Sequence, residues 1–198
     1  MPKIKFSTSQ TSAGRRHFVN EDDVRVVLSR VPEELWERLR AFHFNDRAFG
    51  RRRMGYVTRG HREITLCALP ERVSLSGLYN RRPERDGRSH SPNEFGAVRG
   101  SQWPELAVRR CMLYEVFLHE LGHLQIIDPD ARRLNRRFAS ETKAEEFAAG
   151  WRQQLWAGRF DHSDPVHNPP TAEELERLNC EMSAGTASFR GSCDGSGR

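Results

Sequence analysis

No apolar run in this sequence approaches the roughly 18 residues that a membrane-spanning helix requires. The opening stretch, MPKIKFSTSQTSAGRR, carries no apolar h-region of the kind a secretory leader needs. Cysteine is sparse, and Cys67, Cys111, Cys180 and Cys193 form no CxxC pair. That argues against a disulfide framework and fits a reducing compartment. Cys67 and Cys111 sit in apolar runs, as buried free thiols do. A cytoplasmic protein with no membrane partner is therefore expected. Lysine is nearly missing: the 32 basic side chains are almost all arginine, against 27 acidic ones. The resulting net charge of +5 permits nucleic-acid contact. No aromatic-interleaved basic groove or recognition helix accompanies it, so nucleic acid is the less favoured partner.

What is present suits one domain. Hydrophobic residues are 36% of 198 positions, and they cluster in the middle of the chain. Residues 1–20 are polar and Ser/Thr-rich and read as a flexible segment; 183–198 are small and polar and read as a flexible tail. The folded unit is expected over 21–182. Within it, the valine-rich DVRVVLSRV (23–31) reads as a short strand. Pro32 followed by two glutamates predicts a helix start, with Leu35, Leu39 and Phe42 on one face and an end near Asn45. Two strands joined at Arg59-Gly60 follow, the second being ITLCALP (64–70). Residues 74–100 are long, polar and rich in Gly and Pro, which suggests a surface excursion or a lid. Strong helices are expected over 103–123 and 139–157, with a connector at 128–137 and a short helix at 171–182.

The first strong helix contains HELGH, residues His119 to His123. Residues four apart lie above one another on a helix, so both imidazoles can meet one ion. Glu120, about 100° around the axis from His119, need not coordinate and is free to take a proton from water on the open side. Two histidines without such a role would be an odd choice beside Leu113, Val116, Phe117 and Leu118. A catalytic metal also needs a third protein ligand. The next helix reads SETKAEEFAAGWRQQLW. On its wheel Glu145 lies about 40° from Glu141, while Ala144, Phe147, Trp151 and Leu155 form an adjoining apolar side. One glutamate can hold the metal and the other can accept the outer N–H of a ligand histidine. His162 and His167, in the Pro-rich DHSDPVHNPP, are further candidates for the third ligand. A third histidine six residues after the second is excluded, because position 129 is Pro129 and position 126 is Ile126.

HELGH followed by ETKAEEFA resembles the zinc peptidases of the gluzincin group. Locally, residues 117–148 look most like the ImmA/IrrE-type peptidases, whose second helix reads roughly Glu-x-x-Ala-[Asn/Asp]-x-Phe-Ala. That resemblance implies Glu141 as the zinc ligand and puts Glu145, one carbon longer than the family's acid, beside it. It implies an α+β, zincin-like single domain: a small mixed sheet packed on an active-site helix and a following glutamate-bearing helix. The helix-turn-helix module often fused to that type is missing here. The implied activity is peptide-bond hydrolysis with Zn2+ as cofactor, His119, His123 and Glu141 as metal ligands and Glu120 as general base. His162 and His167 are the leading candidates for stabilising the developing oxyanion, ahead of Arg152 and Tyr79. ITLCALP is a candidate edge for binding an extended peptide or protein substrate by strand addition. Two rival readings remain at this level: a weakly active zincin-like domain that binds a protein or nucleic-acid partner, and a non-peptidase zinc amidohydrolase or esterase.

Overall fold

The computed structural model describes residues 4–47, 54–58, 60, 62–73, 92–97, 102–126, 133–158, 160, 162–178 and 180. Most of 74–100, the region read as a lid, and the tail 183–198 lie outside the described residues, as do Tyr79 and Cys193.

A four-stranded mixed sheet has the order β1 (Lys5–Thr8), β3 (Ala41–Asn45), β5 (Glu63–Cys67), β4 (Gly55–Val57). The first three run parallel and β4 is antiparallel to β5. A second ladder joins β2 (Arg15–Arg16) to β6 (Leu69–Pro70). Strands β1 and β2 fall in the segment expected to be loose, so the sheet begins upstream of residue 21.

The DVRVV stretch is not a strand. It lies in helix α1 (Glu21–Ser29), because local signals at its start outweigh the β-preference of valine. Asn20 and Asp23 form a reciprocal capping box, each backbone N–H bonded to the other side chain at 3.0 Å. Glu21, Asp22 and Asp23 suit the positive end of the helix dipole. Val24, Val27 and Leu28 then bury one helical stripe.

The helix expected after Pro32 is also replaced. A single 3-10 turn (Glu33–Leu35) leads to β3, where Phe42 and Phe44 are both buried on the core side. The period is two, not 3.6, and β3 has a strand on each side to pair with. Phe42 meets Phe117 edge-on at 5.4 Å between centroids. That contact seats the sheet on the next helical layer.

This layer begins as α2 (Glu105–Cys111), passes through a π-helical turn (Met112–Phe117) and continues without a break as α3 (Leu118–Gln125). Helix α4 (Leu134–Ala157) follows and packs along α3. It begins earlier than the sequence pattern suggests. A last helix, α5, covers 172–178. Cys67 and Cys111 are buried and free, while Cys180 is exposed. Among the described residues no helix is long and apolar enough to cross a membrane.

Candidate metal centre

Helix α3 carries His119, Glu120 and His123, and α4 carries Glu141. The two histidine rings stand at 82° with centroids 4.7 Å apart. Their Nε2 atoms face each other at 3.1 Å. Glu141 brings one carboxylate oxygen to 3.3 Å from His119 Nε2 and the other to 3.7 Å from His123 Nε2. Among the described residues these three side chains form a cluster able to hold a metal ion.

The spacing itself tests that fit. Ligands at the bond lengths usual for zinc, in a tetrahedron, stand about 3.3–3.5 Å apart along each edge. The His119–His123 separation of 3.1 Å and the His119–Glu141 separation of 3.3 Å lie close to this value. The donor set, two imidazoles and one carboxylate, is also that of open zinc sites. His119 is buried, whereas the Glu141 side chain is 44% exposed, so the centre opens to solvent on the α4 side.

The helix pair meets closely because Gly122 has no side chain. A Cβ there would stand 3.2 Å from the Ala144 Cα and 3.1 Å from Phe147 Cδ1. The helix therefore tolerates a residue that costs about 1 kcal/mol relative to alanine in its interior, and gains the close approach. Glu145 lies one turn beyond Glu141 and is half-buried.

Glu120 is buried against strand β4. A Cβ on Gly55 would stand 3.1 Å from Glu120 Cγ, 3.2 Å from its Oε1 and 2.9 Å from Val116 Cγ1. Gly55 is thus a residue that motif reasoning misses. Its only sequence signal is a glycine at a strand start, which often marks close backbone approach. The sheet order also corrects the expected edge. ITLC of the ITLCALP stretch lies in β5, which is paired on both sides; among the described residues the edge strand beside Glu120 is β4.

His162 and His167 sit in a different cluster. His167 is buried, its Nδ1 3.1 Å from Tyr114 Oη, and its ring meets His162 edge-on at 4.6 Å. His162 Nδ1 accepts from the Asp164 amide, and its ring stacks on Phe160. None of their hydrogen bonds, ion pairs or ring contacts is with His119, Glu120, His123 or Glu141. Burial, reinforced by His162, pushes the His167 imidazole down to about 4, and burial pushes the Tyr114 hydroxyl up to about 12. Arg152 is buried in ion pairs with Glu115 and with Glu94, the latter at 2.8 Å.

Together the small mixed sheet and the two helices bearing His119-Glu120-x-x-His123 and Glu141 define a zincin-like α+β architecture. Comparison with protein-family models, with curated proteins and with solved structures yields no match.

Proposed function

We propose that this chain is a zinc-dependent metallopeptidase of the gluzincin type. The observation that carries the reading is the convergence of His119 Nε2, His123 Nε2 and the Glu141 carboxylate, with Glu120 buried next in sequence to His119 and outside the cluster. The resemblance of residues 117–148 to the ImmA/IrrE-type peptidases supports the same assignment. His119, His123 and Glu141 would hold a divalent ion, which would supply Lewis-acid polarisation of a carbonyl and make a nearby water more acidic. Glu120 takes a proton from the attacking water and delivers it to the leaving amine. Glu145 orients a ligand histidine by accepting its outer N–H, the usual arrangement around such ligands.

Extended peptide is the substrate class that the architecture favours. Strand β4 is the outermost strand on this side of the sheet among the described residues, and it touches Glu120 at Gly55. A peptide added along β4 passes next to the general base.

The test is digestion of a mixed peptide library by the zinc-loaded protein, the chelated protein and the Glu120→Gln variant, read by mass spectrometry. Zinc content is measured beside each sample. Cleavage is expected only in the first, with zinc retained by Glu120→Gln. Undiminished cleavage by that variant removes the base from its role. Bound zinc with hydrolysis of amide or ester probes but not of peptides favours a non-peptidase hydrolase instead.

A further inference from the structure

The helix that carries HELGH is not α-helical throughout. In the π turn, Met112–Phe117, hydrogen bonds reach one residue further than in an α-helix. Such a turn holds one extra residue, so whatever follows is rotated by about 100° relative to an unbroken α-helix. The upstream end is fixed independently. Arg109 pairs with Asp23 at 2.9 Å and Asp164 at 2.7 Å, and Arg110 pairs with Glu174 at 2.8 Å. The rotation at which His119, Glu120 and His123 present themselves therefore depends on the π turn persisting.

The turn is gripped from both sides. On one, the Tyr114 hydroxyl accepts from Arg30 at 3.0 Å and meets His167. On the other, Arg152 of α4 pairs with the Glu115 carboxylate and donates to the Tyr114 carbonyl at 3.5 Å. Arg152 is 4% exposed. A guanidinium supplies several donors in a fixed fork, which suits one side chain to a carboxylate and a nearby helix carbonyl at once. At the end of the turn the Leu118 amide closes onto the Glu115 carbonyl, three residues back, and the α-helix resumes from there.

We propose that Arg152 is a positioning residue for the metal centre: by holding Glu115 and the Tyr114 carbonyl it keeps the π turn in place, and the π turn sets the angle at which His119 and His123 face Glu141. This rests on the metallopeptidase reading of the same site. Arg152 is on α4, as Glu141 is, so one helix supplies both a ligand and the brace for the other two.

The experiment compares the full-length wild type with Arg152→Met/Glu115→Gln, which removes both buried charges together, and with the milder Glu115→Gln. Zinc affinity is measured by competition with a chromophoric chelator, and the visible absorption of the Co2+-loaded protein reports ligand geometry. The double variant is expected to bind zinc about 10- to 100-fold more weakly, the usual effect of losing an outer partner, and to shift the Co2+ bands. Wild-type affinity together with an unchanged Co2+ spectrum in a folded double variant overturns the proposal. Should the double variant not fold, amide exchange of residues 112–119 in Glu115→Gln decides: faster exchange there supports the brace, and unchanged exchange overturns it. A wild type that takes up no zinc overturns the metal reading and this inference with it, whereas zinc uptake equal in wild type and variants removes only the inference.

Discussion

One hydrogen atom on Gly55 marks the boundary between the edge of the sheet and the proposed general base. Gly55→Ala would drive a methyl group against Val116 and the Glu120 side chain. The expected outcome is a fall in turnover of about tenfold or more with zinc content unchanged, since small misplacements of a catalytic group cost heavily. Steady-state kinetics beside metal analysis checks it. Ligand identity is tested by a second pair: Glu141→Ala should weaken zinc more than Glu145→Ala in chelator competition, because Glu141 completes the cluster with its oxygens at 3.3 and 3.7 Å from the two Nε2 atoms. These two glutamates illustrate what was legible in the sequence. His119 and His123 could be read because helical spacing is local and puts chemistry-bearing groups on known faces, whereas spacing left Glu141 and Glu145 as alternatives and the family resemblance pointed to Glu141. Gly55 could not, because its significance depends on a strand and a helix far apart in sequence meeting at one point. His162 and His167 read as candidates for the same reason in reverse: histidine in a loop carries no sign of the partners that the fold supplies.

Among elements, the seam between α3 and α4 is set at Gly122. Alanine there meets the Ala144 backbone, which a packed helix cannot easily withdraw, so the helices should separate by a few tenths of an ångström. Zinc affinity is expected to fall several-fold in Gly122→Ala while helical circular dichroism is unchanged. The ligand-bearing helices were readable because their apolar spacing is long and regular. Short elements were not. The valines of α1 favour strands, and only the Asn20–Asp23 capping box and the spacing of Val24, Val27 and Leu28 reveal the helix. On the way into β3, the spacing of Leu35, Leu39 and Phe42 imitates a helix until the alternation of Phe42 and Phe44 is given neighbouring strands. The π turn leaves no periodic signature that a search for 3.6-residue spacing can detect.

For the molecule as a whole, acid should act through the His162–His167 cluster before it acts on Asp46. His167 is held at about 4, below its unfolded value near 6.5, so the unfolded chain binds more protons than the native one between those values. Stability contributed by neutral His167 is present above about pH 6.5 and is lost as pH falls toward 4, by on the order of 3 kcal/mol. Asp46, lowered to about 2 by Ser12 and Arg15, gives its own loss only below its ordinary value of 3.8. Urea unfolding of wild type and His167→Gln at pH 7, 5.5 and 4.5 checks this; the variant should show a shallower decline. The topology behind that stability was largely hidden in the sequence, since β1 comes from a segment whose polarity gives no hint of a parallel partner some thirty-five residues later. Strand β4 carries one further consequence. It is three residues long and, within the sheet, joined to a neighbour on one flank alone among the described residues. A peptide seated along its outer flank would complete the ladder, so the grip on substrate and the cohesion of that strand become a single quantity. Variants that loosen Gly55–Val57 will therefore lose affinity and local order together.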